Sequence, residues 1–119
     1  MDTSKLREND VPYVTEVVSY LTDRKLDVEL VGSALNGERT YQDVDLIAKG
    51  SIEDVTNATS GLMGLDARTE PFQKKSAEGL EYQVQHVSGP TRYVGLNVDE
   101  RFNIEVGNTR IDLNLKATR

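Results

Sequence analysis

Leu30-Val31-Gly32-Ser33, nine residues, then Asp43-Val44-Asp45-Leu46-Ile47-Ala48 is the stretch on which the reading of this chain turns. Leu30-Val31 reads as the buried end of a strand, so Gly32 sits where the backbone turns sharply and can approach a ligand closely. Ser33 offers a hydroxyl and an amide. If Ala34-Leu35 opens a short helix, its free N–H groups face a bound polyphosphate and favour its charge. In the second half, Asp43 and Asp45 lie two apart in an alternating run. Strand geometry sends both carboxylates to one face while Val44, Leu46 and Ala48 point into a core. Two carboxylates that close repel each other and raise one pKa unless a divalent cation neutralises them. A hard, oxygen-seeking ion, Mg2+ (or Mn2+), suits such a pair, because it takes one or two carboxylates together with substrate phosphates. Each half alone has a plain reading, a common turn and the wet face of a half-exposed strand. In this order and separation, the two together point to nucleotide handling.

Working outward, Asn9 to Arg24 reads as a helix. Asn9 or Asp10 can cap it, Pro12 is tolerated in its first turn, and Val11, Val14, Val17, Val18 and Leu21 recur at helical spacing. Asp27 to Val31 reads as a short strand, residues 34–38 as a helical turn, and Tyr41 to Ala48 as the aspartate strand. Ser51 and Asp54 resemble a loose capping box for a second helix that Gly61 and Gly64 stop. Residues 65–79 lose periodicity around Pro71 and read as a loop. Strands are expected over Leu80–Val87, Thr91–Val98, Phe102–Val106 and Thr109–Leu115, the last two joined by a hairpin at Gly107-Asn108. In the final strand Ile111, Leu113 and Leu115 share one face, and Arg110, Asp112, Asn114 and Lys116 the other. This order predicts an α+β domain: a mixed sheet with helices packed on one face.

At 119 residues the chain is read as a single minimal domain, 1–119. No apolar run approaches membrane-spanning length and the start lacks the apolar core of a secretion signal, so the expectation is a cytoplasmic protein with no membrane partner. The absence of cysteine excludes disulfides and thiolate metal sites, and a lone histidine, His86, excludes both a two-histidine metal site and a Ser-His-Asp triad. The net charge of −6 argues against a long duplex nucleic acid as partner. A local basic patch from Arg39, Lys49, Arg110, Lys116 and Arg119 remains open, but the charge balance favours a small molecule, an RNA end or a protein as acceptor.

Leu30-Val31-Gly32-Ser33 followed by Asp43-Val44-Asp45-Leu46 resembles the core motif of the nucleotidyltransferase superfamily that includes DNA polymerase beta, the CCA-adding enzymes and the minimal nucleotidyltransferases. Gly32-Ser33-Ala34-Leu35 with Arg39-Thr40 looks like the abortive-infection type, which often has a second glycine where this chain has Ser33. The family places a third carboxylate on a later, neighbouring strand. Thr109-Arg110-Ile111-Asp112-Leu113-Asn114-Leu115 matches that element, and Val106-Gly107-Asn108 is similar to the hairpin before the third aspartate in archaeal CCA-adding enzymes. Residues 64–98 carry no matching motif.

The resemblance implies a polymerase beta-like fold and transfer of a nucleoside monophosphate from a nucleoside triphosphate to an acceptor hydroxyl, with release of pyrophosphate. Asp43, Asp45 and Asp112 would be the catalytic and metal-binding carboxylates. Gly32 and Ser33 would hold phosphate, joined by Arg39 and Thr40, which otherwise read as solvated loop residues, and by Lys116, which otherwise protects a sheet edge. Glu105 competes with Asp112 for the third position, and motif context favours Asp112. Tyr41 is near enough to the motif to stack on a base. The resemblance also implies a helical region after this core in larger relatives, and the expectation from this sequence is a domain without it. A second reading follows from that: a weak or inactive binding module paired with a helical toxin or antitoxin partner.

Overall fold

The computed structural model describes residues 3–35, 41–64, 71–87, 92–94 and 97–117. Helix α1 spans Val11–Thr22, with a proline in its first turn and Tyr13, Val14, Val17, Tyr20 and Leu21 buried at helical spacing. It is shorter at both ends than the sequence suggested. At its start Asp10 occupies the capping position, but its side chain makes no cap hydrogen bond and turns toward the sheet. At its end Lys25 adopts a left-handed φ of 68° and the Leu26 amide closes back on the Leu21 carbonyl at 3.1 Å, which buries Leu26 beneath the turn. Helix α2 spans Ile52–Met63. Ser51 caps it by accepting from the Asp54 amide at 3.1 Å, and Gly64 ends it at φ 66°. Gly61 does not stop the helix: it is a buried helical residue whose carbonyl accepts the Phe72 amide.

The strands are β1 (Asp27–Val31), β2 (Val44–Gly50), β3 (Gln83–His86), β4 (Arg92–Val94), β5 (Asn97–Val106) and β6 (Thr109–Ala117). They form a mixed sheet in the order β1-β2-β6-β5-β3, with β4 also paired to β5. Only β2 and β6 are parallel, and they sit at the centre. The expected strand over Thr91–Val98 divides into β4 and the beginning of β5, and the one over Leu80–Val87 contracts to four residues. The preceding segment is irregular. Glu16 on α1 holds it by accepting from Gln73 Nε2 at 2.6 Å, the Ala77 amide at 3.1 Å and the Tyr82 hydroxyl.

The two sheet faces differ in kind. Val44, Leu46 and Ala48 on β2, Phe102, Ile104 and Val106 on β5, and Ile111, Leu113 and Leu115 on β6 are buried with the apolar sides of α1 and α2. The alternate described residues of the same strands are half-buried or exposed and, Ile47 and Gly50 apart, polar. This is the predicted α+β arrangement, with one helix-covered and one open face. Neither described helix is long and apolar enough to cross a membrane.

Candidate functional site

Burial on one face dictates what the other presents. With Val44 and Leu46 locked inward on β2 and Ile111 and Leu113 on β6, Asp45 and Asp112 project from the open face. The parallel register sets them directly beside each other, and Asp43 stands just before β2. On the other side of β2, Val31 lies opposite Asp45, and the chain then turns at Gly32 with φ 80°. A Cβ at Gly32 would collide with Asp45 Oδ2 and stand 3.2 Å from Asp45 Cγ. The glycine is therefore needed for conformation and for space, since the turn and the carboxylate occupy adjoining volumes. Ser33 follows, half-buried, and the Leu35 amide closes the turn on the Gly32 carbonyl at 3.1 Å. Asp43, Asp45 and Asp112 line one cleft of about 510 Å³ on the open face.

The cleft is electrostatically tense. Burial, then the charge of Asp43 and of Asp45, pushes the Asp112 carboxyl up to about 6, while Arg110 pulls the other way. Burial and the Asp43 charge raise Asp45 as well. Arg110 Nε lies 3.6 Å from Asp43 Oδ1 and 3.2 Å from Glu105 Oε1. Asp43 Oδ1 is nevertheless buried without a hydrogen-bond partner. An orphaned carboxylate oxygen beside two strained carboxyls, with oxygen the only donor type, fits a hard divalent cation in chemistry. In arrangement, no three acidic or histidine side chains among the described residues converge as a ready metal centre. The guanidinium of Arg110 offsets part of that negative charge.

Of the residues singled out in the sequence, Gly32, Asp43, Asp45 and Asp112 are brought together at one end of β2 and β6, and Ser33 follows Gly32 in the turn. Lys116 is not with them. It is four residues beyond Asp112, about 13 Å along an extended strand, beside Lys49 and opposite Asp99. Arg39 and Thr40 lie outside the described residues. Glu105 is exposed, pairs with Arg110 and does not line the cleft. Tyr41 cannot stack on a base: it is buried, and its hydroxyl accepts the Arg7 amide and donates to Asp10. His86 contacts Glu100 at 2.6 Å and packs on Phe102, away from the carboxylates.

Two groups escaped sequence reasoning. Arg101 and Asn103 line the cleft from β5, opposite Asn114 and Asp112. Their alternation with buried Phe102 would have revealed them had β5 been taken to begin before Phe102. The other is a buried clamp around Asp10. Its Oδ1 accepts from Thr109 Oγ1 at 2.6 Å, and its Oδ2 accepts from the Tyr41 hydroxyl and from Arg7 Nε at 3.1 Å. Residue 41 leads into Asp43 and residue 109 into Asp112, so one carboxylate ties down the start of both acidic strands. Nothing local in the sequence signals that contact. No family model, curated protein or solved structure matches this chain.

Proposed function

We propose that this chain is a metal-dependent nucleotidyltransferase, resembling the polymerase beta-like superfamily in fold and reaction. The observation that carries the reading is the abutment of the Gly32 turn on Asp45, with Asp112 in register on the adjacent strand. The Gly32 turn thus adjoins the cleft that the three carboxylates line. Gly32 and Ser33 receive the terminal phosphates of a nucleoside triphosphate through backbone amides and the serine hydroxyl. Asp43, Asp45 and Asp112 are the residues that would hold Mg2+ or Mn2+, whose chemistry when bound is to offset phosphate charge and lower the pKa of a coordinated hydroxyl. Asp112, projecting from the open face beside Asp45, takes the proton of the acceptor hydroxyl. The acceptor oxygen bonds to the α-phosphorus as the bond to the pyrophosphate oxygen breaks. Positioning and charge neutralisation supply most of the rate.

A second reading has its own observation. Arg110 already spans Asp43 and Glu105, as it would in a domain whose acidic cleft serves binding rather than turnover, such as one half of a toxin–antitoxin pair. Two measurements separate these. Calorimetry with ATP, GTP, CTP and UTP should show binding that requires magnesium or manganese, and failure with all four removes the nucleotide site. Incubation with α-labelled nucleotides and cell extract should then label an RNA or protein band. Binding without any labelled product favours the binding module, and labelling undiminished in Asp43→Ala/Asp45→Ala protein assigns the activity elsewhere.

A further inference from the structure

Past Asp112 the cleft continues over side chains that nucleotide binding leaves without a task. Asn114 lies two positions along β6 on the same open face, with Asn103 opposite Asp112 and Arg101 opposite Asn114 on β5. Three properties distinguish this end. Arg101 is exposed and makes no ion pair or hydrogen bond through its guanidinium among the described residues, whereas Arg110 and Lys49 on the same face are both paired with carboxylates. Asn114 Oδ1 is buried and has no hydrogen-bond partner, a deficit that ordinarily costs about 1–3 kcal/mol. Val87, an exposed apolar residue, lines the same end.

We infer that Arg101, Asn103 and Asn114 form the acceptor subsite, and that the acceptor is the 3′-terminal nucleotide of a single RNA strand. The inference rests on the nucleotidyl-transfer reading, which fixes the acceptor hydroxyl beside Asp112. The diagonal from Asp112 to Arg101 across the β5–β6 pair is about 7–8 Å at the backbone, the scale of one nucleotide. A hydroxyl at Asp112 therefore leaves its neighbouring phosphate at the guanidinium, the side chain best shaped to hold it. The amides of Asn103 and Asn114 both donate and accept, which matches ribose hydroxyls and base edges. The apolar Val87 surface lies against the remaining ring. One unpaired guanidinium meets one phosphate. A duplex would need a row of them, which a net charge of −6 disfavours. A serine or tyrosine of a partner protein brings no phosphate and would leave Arg101 unanswered. The chemistry is that of the transfer above: the 3′-oxygen bonds to the α-phosphorus, pyrophosphate leaves, and the hydroxyl proton passes to Asp112.

The test is fluorescence anisotropy on the full chain with magnesium, using a labelled ten-nucleotide single-stranded RNA with a free 3′ end, the DNA of the same sequence, and the RNA annealed to its complement. Single-stranded RNA should bind best. Its affinity should fall with salt at a log–log slope of about −0.7, the value for one phosphate on a single strand. Arg101→Glu should weaken RNA binding at least about tenfold through loss of a charge-assisted contact, and Asn114→Ala should weaken it in the same direction. Both should retain the calorimetric affinity for metal and nucleotide, and Lys74→Glu, a charge change away from the cleft, should leave RNA affinity unaltered. RNA binding indifferent to Arg101→Glu, a salt slope of several phosphates, or equal binding of duplex overturns the subsite while nucleotide binding stands. So does transfer of label to a peptide and not to RNA. Failure of the parent to bind any nucleotide overturns the transfer reading itself and the acceptor role with it.

Discussion

Gly32 and Gly64 both hold a left-handed backbone, at φ 80° and 66°, but only Gly32 has Asp45 where a side chain would go. Alanine at either position carries the backbone cost of about 1–2 kcal/mol. Gly64→Ala should lower the unfolding free energy in urea by that amount and leave nucleotide affinity alone, because nothing lies within 4 Å of its Cβ position. Gly32→Ala should destabilise at least as much and also weaken metal–nucleotide binding about tenfold or more by displacing the Asp45 carboxylate. Equal binding losses in the two variants would mean that strain, and not the displaced Asp45, is the cause. Asp112 and Glu105 make a second pair. Asp112→Asn should keep substantial nucleotide binding but lose transfer at least about a hundredfold, the scale of a positioned proton acceptor. Glu105→Gln removes only an exposed partner of Arg110 and should stay within a few-fold of the parent, as labelled-nucleotide assays on folded protein would show. These carboxylates were legible in the sequence because period-two alternation needs no partner strand to be read. Arg101 was not, because its role depends on which strand lies opposite.

At the scale of elements, the Asp10 clamp joins the start of α1 to the starts of β2 and β6. Burial raises its carboxyl, but hydrogen bonds from Thr109, Tyr41 and Arg7 outweigh burial and hold it below the ordinary carboxylate range. A depressed folded-state pKa contributes stability above the unfolded value of about 4, and that contribution is lost as pH falls through the folded value. Urea midpoints measured from pH 7 to pH 3 should therefore decline on the acid side, and Asp10→Asn should flatten part of that decline. An acid limb of unchanged steepness in the variant would place its origin elsewhere. Asp10→Ala should cost about 2–4 kcal/mol at neutral pH, since it strands the buried hydroxyls of Tyr41 and Thr109. The existence and type of α1, α2, β1, β2 and β6 could be read from periodicity and capping, because those signals are local. The side chain of Asp10 could not be placed that way: a residue that looks like a helix cap was recruited by two distant hydroxyls, and tertiary hydrogen bonds prevailed over the local one.

At the scale of the molecule, composition and pattern yielded the α+β class and the placement of helices on one face, but not the strand order. The breakdown of the stretch before β3, the division into β4 and β5, and the central position of β6 depend on pairing between distant segments, which no single stretch encodes. That central position has a consequence in time. The β5–β6 hairpin closes across Gly107-Asn108 and can form early, but β2 and β6 pair in parallel across a long sequence separation, with Asp45 facing Asp112. Their union must bear the entropy of a long closure before any contact rewards it, a slow step in folding. Asp45 and Asp112 become neighbours only at that step. In stopped-flow refolding, the ability to capture a fluorescent nucleotide should therefore lag behind recovery of far-ultraviolet circular dichroism, and simultaneous recovery would show that the two strands meet at the outset. A lag would mean that a half-folded or newly synthesised chain, with its hairpin formed and its helices in place, has no chemistry to misdirect.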